Sequence, residues 1–314
     1  MIRSQYPWNY KAMALRNDPQ QGQFDLFVPV ISDMALRDQR ETMERPFFSL
    51  AKRKRITPIE YTSPDGDVWI KVRAVKDFGM ATIWDADILI WAASAITAMR
   101  NKQINDLPRK IHFHPSDLLR SIGRAVGGEN YERLRASLTR LQATTISTNI
   151  RGAGKKKTRQ FSWIESWEEV VDERTQQTRG MTLTLSDWFY EGVVMEGGVL
   201  AIHPDYFRLT GGRERWIYRV ARKHAGGHDG EGFTISLPTL FDKSGAEGNY
   251  RRFKFEMKKI ADDDGLPEFH LKWVDENQGS EPCLMMVRRS KLSVDHPAFE
   301  PYLPQDRRLP KLPD

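Results

Sequence analysis

The chain has 314 residues, 39% of them hydrophobic and 11% aromatic, which is enough apolar surface for two packed domains and excludes a disordered chain. Its 48 Lys and Arg against 42 Asp and Glu give a net charge of only +6, so a polyanionic partner has to be inferred from where the cations cluster. The single cysteine, Cys283, excludes an internal disulfide and a cysteine-based zinc site. Because no apolar run approaches the roughly 20 residues of a membrane span, we expect a cytoplasmic protein.

The first elements in chain order predict an arm followed by a domain. Residues 1–45 have mixed charge and little periodicity, which predicts a partly flexible N-terminal arm. From Ile59, two β-rich segments flank a Pro-Asp-Gly turn and predict a hairpin at the start of a first domain, 46–200. Residues 85–99 then predict a mostly apolar helix with acidic residues in its first turn.

The next elements follow the order of a winged helix. A strand at 111–114, a helix beginning at Pro115 and a second helix at 130–143 precede a β-branched run at 144–150. An aromatic segment at 161–171 follows, and the Gly- and Lys-rich stretch between these two segments predicts a basic wing.

The second half repeats this order. The repeated elements are a helix at 213–225, a strand at 233–237, helices at 238–243 and 249–260, and a hairpin around 277–279. A second domain is therefore expected at 201–300, followed by a Pro-rich tail at 301–314. The predicted fold is α+β, with two tandem winged-helix domains related by a pseudo-two-fold internal repeat.

Two helices align at an offset of 119, the difference between Tyr250 and Tyr131. Both carry apolar residues at i, i+3, i+7 and i+10, which predicts one buried stripe per helix. The stripes are Tyr131, Leu134, Leu138 and Leu141 in the first helix, and Tyr250, Phe253, Met257 and Ile260 in the second. The opposite faces hold Glu132, Arg133, Ala136, Thr139 and Arg140 in the first, and Arg251, Arg252, Phe255, Lys258 and Lys259 in the second.

The second of these faces is strongly basic, and a helix of this diameter fits the major groove of DNA. We therefore predict that the helix at 249–260 reads bases and that the first helix and the first wing add contacts. The complete set of predicted DNA-binding residues is Arg251, Arg252, Lys254, Phe255, Lys258 and Lys259, with Arg133, Arg140, Lys155, Lys156, Lys157 and Arg159. The alternative for either helix face is an ordinary solvated charged surface.

Two further features have open interpretations. Phe255 stands on the basic face and either meets a thymine methyl group or packs on a neighbouring strand. The cluster Lys52-Arg53-Lys54-Arg55 either contacts the DNA backbone or is plain surface charge.

Two motifs point to chemistry that the rest of the pattern does not support. His112-Phe113-His114 with Tyr131 is typical of rolling-circle nickases, but Tyr131 belongs to the apolar stripe and its counterpart Tyr250 follows a strand without histidine. The stretch 152–158 resembles a phosphate-binding loop, but Asn149 replaces its first glycine and Lys156 its Ser or Thr. We expect no catalysis, no metal and no cofactor.

Several long stretches resemble one known family. They are 43–50 (MERPFFSL), 79–90 (GMATIWDADILI), 131–134 (YERL), 144–146 (TTI) and 211–226 (GGRERWIYRVARKHAG). Over roughly residues 43–270 the chain resembles the plasmid replication initiator protein A family, related more distantly to other initiators that bind iterons, the short direct repeats of plasmid origins.

The resemblance implies a plasmid replication initiator that binds direct repeats in double-stranded DNA, helps to open the origin, and recruits the host initiator and replicative helicase. It also implies a homodimer that represses its own gene, in equilibrium with a monomer that binds the origin. The first winged helix would serve dimerisation and backbone contact, and the second domain would have a wing that includes Arg288, Arg289 and Lys291. The main alternative is a winged-helix repressor that acts only at an operator.

Overall fold

The structure is a computed structural model that describes residues 34–151, 158–175, 178–227, 232–275 and 281–301. The helices of these ranges are α1 Ala86–Asn101, α2 Pro115–Ser121, α3 Gly128–Ala143, α4 Asp187–Val194, α5 Gly212–His224, α6 Leu237–Ser244 and α7 Tyr250–Asp263. The strands are β1 Arg37–Gln39, β2 Ile59–Thr62, β3 Trp69–Arg73, β4 Lys110–Phe113, β5 Thr145–Thr148, β6 Arg159–Ser162, β7 Ile164–Val171, β8 Thr178–Leu185, β9 Val199–Ala201, β10 Phe233–Ser236, β11 Phe269–Val274 and β12 Cys283–Arg288. Most of the predicted arm and tail, the three wing lysines 155–157 and the turn at 277–279 lie outside the described residues.

Two three-stranded antiparallel sheets have the same construction. Their strand orders are β4-β8-β7 and β10-β12-β11, so in each the last strand of a hairpin pairs with a short strand that comes earlier in the chain. A long helix, α1 or α5, precedes each sheet, and a pair of helices, α2–α3 or α6–α7, lies between its first strand and its hairpin. The duplicated order of elements predicted from the sequence is therefore present in this mixed α/β fold.

The strands predicted around the basic stretch 151–160, β5 and β6, pair with each other, but they lie outside both of these sheets, so this hairpin is not the one that corresponds to β11–β12. β5 and β6 lie in a separate sheet of order β2-β3-β5-β6, where Ile146 faces Val72 across the ladder. In the first half, the hairpin that matches β11–β12 is β7–β8. This difference arose because a β-branched run predicts a strand but not the sheet in which the strand finds its partner.

An aromatic cluster fills the core of the first half. Trp163, which joins β6 to β7, is fully buried and stacks on Phe48 with a centroid distance of 4.6 Å. Phe47 and Trp188 approach it edge-on, at 5.6 and 6.3 Å. Aromatic pairs in such geometries contribute beyond their buried area, so this cluster anchors β6, β7 and α4 to one another.

Half of residues 34–45 are buried, so the predicted end of the partly flexible arm at residue 45 is wrong. Leu36 and Met43 are buried, and β1 pairs with β9. Asp38 forms a buried ion pair with Arg219 of α5, with an Oδ2–Nε distance of 2.6 Å. Asp38, one of the mixed charges of this segment, therefore lies inside the protein, where its partner comes from far along the chain.

A second buried carboxylate joins the two halves. Asp87, in the first turn of α1, accepts a hydrogen bond from Arg215 of α5 at 2.7 Å and one from Arg124 at 2.8 Å. The acidic start of α1 was predicted to complement the helix dipole. Asp87 instead holds α5 against α1 through the guanidinium of Arg215.

Glu44 forms a third junction. Its carboxylate accepts hydrogen bonds from Lys223 at 2.6 Å, from Lys243 at 2.6 Å and lies 2.8 Å from Nε2 of His224. Burial raises the pKa of Glu44, but the hydrogen bonds from His224 and Lys223 outweigh burial and lower that pKa far below its usual value. This carboxylate therefore ties the segment before β2 to both α5 and α6.

Candidate nucleic-acid interface

Helix α7 begins at a cap that its sequence specifies. The side chain of Asn249 accepts a hydrogen bond from the backbone N–H of Arg252 at 2.9 Å. Phe253 and Met257 are fully buried, while Tyr250 and Ile260 are half-buried, so the predicted stripe faces the interior. Packing through this stripe directs the opposite face of α7 to solvent.

The solvent face of α7 carries four exposed cations, as predicted: Arg251, Arg252, Lys258 and Lys259. Arg252 has a neighbour on its own helix, Glu256, at 2.8 Å. Among the described residues, no hydrogen bond or ion pair engages Arg251 or Lys259. Exposed pairs within one helix contribute little stability, so these cations remain available to an anionic partner.

Phe255 lies in the middle of this face and is 70% exposed. Among the described residues the ring packs on no neighbouring strand, which contradicts one of its two sequence interpretations. Lys254, on the flank of the helix, is half-buried and pairs with Glu281 at 3.0 Å.

The hairpin β11–β12 lies beside α7. Lys258 stands over the ring of Trp273 in β11 at 5.3 Å, and the hydroxyl of Tyr250 donates to Glu281 at 2.7 Å. Burial and the carboxylate of Glu281 raise the pKa of Tyr250, so this hydroxyl remains a donor. Sequence reasoning missed Trp273 and Glu281, because each lies on a hairpin whose position beside α7 depends on tertiary packing.

Two cations assigned to the second wing are directed inward. Arg288 pairs with Glu268 at 3.3 Å, and Arg289 is buried, with hydrogen bonds to Asp264 at 3.1 Å and to the carbonyl of Leu266 at 3.2 Å. Both guanidinium groups bind oxygens of the segment that follows the end of α7.

Helix α3, the counterpart of α7, presents a different surface. Arg133 is exposed, but it pairs with the exposed Glu129 one turn earlier. Arg140 was predicted to lie on the solvent face of α3, but its guanidinium group pairs with Asp85 instead. It makes a two-pronged hydrogen bond to Asp85, at 2.8 and 2.7 Å, and that carboxylate is only 1% exposed. The error follows from the position of Asp85 at the start of α1, which no pattern within α3 reveals.

Of the four remaining predicted DNA-binding cations, the described residues include Arg159 alone. Arg159 pairs with Glu191 at 2.6 Å, whereas Lys155, Lys156 and Lys157 lie outside the described residues. In the cluster at 52–55, Arg55 is 7% exposed and donates to the carbonyl of Gly245 at 2.6 Å. At least one member of that cluster therefore joins the halves instead of presenting a free charge.

The residues that suggested a nickase have structural partners. Nδ1 of His114 accepts the backbone N–H of Ser116 and caps α2, and Nδ1 of His112 lies 2.9 Å from the hydroxyl of Thr182. Tyr131 is half-buried in the first turn of α3. Within the described ranges, no three His, Cys, Asp or Glu side chains are grouped as metal ligands, and no helix is long and apolar enough to cross a membrane.

A family model described as replication initiator protein A matches residues 37–271, well over half of the chain. The chain belongs to the replication initiator protein A family. A relative from Wigglesworthia glossinidia brevipalpis, described as "Putative replication protein", is 34% identical over 242 residues, which cover 76% of this chain and 85% of the relative.

The fold of this replication initiator protein A member has a solved counterpart. A crystal structure of a selenomethionine derivative of domains 2 and 3 of RctB has a TM-score of 0.55 and 15% sequence identity. The match covers 78% of this chain and 96% of that chain. At this identity the likeness concerns the fold alone.

The stretches that carried the family resemblance meet in the structure of this replication initiator protein A member. Glu44 from the first stretch contacts Lys223 and His224 from the last. The backbone N–H of Ala81 donates to the hydroxyl of Thr144 at 2.8 Å. The first and last of these stretches therefore meet at the junction between the halves, whereas the cations of α7 lie outside the five stretches.

Proposed function

We propose that this replication initiator binds direct repeats in double-stranded DNA at a plasmid origin through two winged-helix units. The order helix, strand, helix, helix and hairpin, present in both halves, is that of a winged helix, in which the last helix enters the major groove and the hairpin lies alongside. One observation carries the proposal. The last helix of the second unit, α7, buries its apolar side and exposes four cations.

The two units have different tasks in this proposal. The exposed face of α7 has Arg251 and Arg252 where α3 has Glu132 and Arg133, so only α7 is strongly cationic at its start. Arginine makes paired hydrogen bonds to guanine in the major groove, and lysine meets base edges or phosphates. We therefore assign base readout to α7, and dimerisation and backbone contact to the first unit.

The test is a binding titration on the DNA beside the gene, with a matched control. In fluorescence anisotropy we expect Arg252→Ala and Lys259→Ala to weaken binding to the direct repeats by about 1–3 kcal/mol each, the usual cost of a lost base contact. Arg208→Ala removes an exposed cation that lies outside the solvent face of α7 and should leave binding unchanged. Wild-type affinity in the Arg252→Ala and Lys259→Ala variants would refute α7 as the reading helix.

A salt titration separates phosphate contacts from base contacts. Each neutralised phosphate releases counterions, so we expect the affinity of the wild type to fall steeply with salt concentration. A variant that has lost a phosphate contact should show a shallower slope, whereas one that has lost a base contact should keep the slope of the wild type.

Initiation and simple repression differ in the DNA that they require. An initiator needs several direct repeats, whereas a dimeric repressor needs a palindrome, because half-site symmetry mirrors dimer symmetry. A plasmid that carries this gene with its flanking DNA should replicate. Failure to replicate, with binding retained, would favour the operator-only repressor.

The wider proposal includes partners that follow from the family. We propose that the chain represses its own gene as a homodimer, contributes to plasmid copy control, and engages the host initiator and replicative helicase at the opened origin. It has no catalytic step in this scheme. The rolling-circle alternative would require covalent attachment of Tyr131 to DNA, and loss of all attachment in Tyr131→Phe would support that alternative.

A further inference from the structure

Phe255 is the residue of α7 that packing does not explain. Its ring is 70% exposed, and it lies one turn after Arg251 and Arg252 and one turn before Lys258 and Lys259. Many rings of the described residues pair with one another, but among those residues Phe255 has no aromatic partner. An exposed phenyl ring gains nothing from the hydrophobic effect.

The duplicated architecture shows that the fold does not require a ring here. At the offset of 119, Phe255 corresponds to Ala136 of α3, which is also exposed. Helix α3 packs through Leu134 and Leu138 with an alanine at this position. The ring at Phe255 is therefore an addition to the solvent face and makes no contribution to the core.

We propose that Phe255 contacts the methyl group of a thymine in the major groove and so determines part of the sequence specificity. This inference rests on the proposed function of α7. Thymine is the base that presents an apolar group in the major groove, and phenylalanine is one of the side chains that contact it. The four surrounding cations fit a polyanion, whereas an apolar protein partner would face a ring isolated among charges.

The experiment replaces each thymine of one direct repeat, singly, by deoxyuridine, which lacks only the methyl group. We expect one replacement to weaken wild-type binding about fourfold. This factor corresponds to roughly 0.8 kcal/mol, the gain from burying one methyl or methylene group. The Phe255→Ala variant should bind the thymine repeat more weakly than the wild type. It should also bind the thymine and deoxyuridine repeats equally at that position.

Phe78→Ala is the matched control, since Phe78 is an exposed ring in the first half, 49% exposed. It should keep both the affinity and the thymine preference of the wild type. Thermal unfolding of both variants should match the wild type, because neither ring is part of the core.

Several results would overturn the inference. Phe255→Ala could retain the thymine preference of the wild type, or bind the repeat as tightly as the wild type does. Wild-type binding could also be indifferent to every thymine replacement, in which case the proposed function would stand without this contact.

If the wild type binds no repeat beside its gene, the proposed function and the inference both fail. If Phe255→Ala binds DNA normally but no longer supports plasmid replication, the ring contacts a protein.

Discussion

The buried ion pair between Asp38 and Arg219 gives the sharpest test of how the N-terminal segment is held. Both side chains are almost fully buried, and Arg219 donates twice to Asp38, at 2.6 and 3.1 Å. In Asp38→Ala, the guanidinium stays buried without its carboxylate. Breaking a buried pair in this way costs about 3–5 kcal/mol. Arg219 keeps its hydrogen bond to Thr42 at 2.8 Å, so we expect a loss near the lower end of this range, about 3 kcal/mol.

The assay is urea unfolding followed by tryptophan fluorescence. Asp262→Ala is the control, because Asp262 pairs with Lys258 at 3.5 Å on the exposed side of α7 and should cost less than about 1 kcal/mol. The double variant Asp38→Leu with Arg219→Met removes both charges and should recover most of the stability, since replacing a buried pair by apolar groups is often neutral. A double variant as unstable as Asp38→Ala alone, or equal losses in Asp38→Ala and Asp262→Ala, would refute the reasoning.

Two other predictions concern Glu44, which joins the two halves, and Arg140 of α3. The pKa of Glu44 is lower in the folded chain than the roughly 4.3 of an unfolded glutamate, so its contribution to stability is present above about pH 5 and is lost as the pH falls below about 4. The stability difference between the wild type and Glu44→Gln in urea unfolding should therefore shrink on acidification, and a constant difference would contradict this account. Arg140→Ala leaves the buried carboxylate of Asp85 unpaired and should cost about 3–5 kcal/mol of unfolding free energy. The folded Arg140→Ala protein should bind DNA like the wild type. Normal stability together with weakened DNA binding would contradict this account and would place Arg140 in the DNA interface.

Local periodicity was sufficient for the parts of the fold that depend on one element. The spacing of Phe253 and Met257 identified the buried side of α7, and Leu134 and Leu138 did the same for α3. Asn249 was expected to stand at the start of α7, and it caps that helix. These features were predictable because a helix places residues three and four apart on one side, whatever surrounds it.

The wing of the first half was not predictable in the same way. Residues 144–150 were predicted as a strand, and β5 lies within them. It pairs with β6, as expected for two strands around a basic loop, but also with β3, whose Val72 faces Ile146 from 74 positions earlier in the chain (146 minus 72). Strand pairing is set by which apolar surfaces meet in three dimensions. The strands β5 and β6 therefore lie in another sheet, and the hairpin β7–β8 has the place in the first half that β11–β12 has in the second.

The sequence by itself determined the duplicated order of elements, the apolar stripes and the cationic face of α7, because each of these features depends on residues that are close together in the chain. Only the tertiary structure decided which charges remain free. Arg140 and Arg219 look like ordinary surface cations in the sequence, yet their carboxylates lie 55 and 181 positions away. A buried charge requires a partner, and such partners come together only when the chain folds.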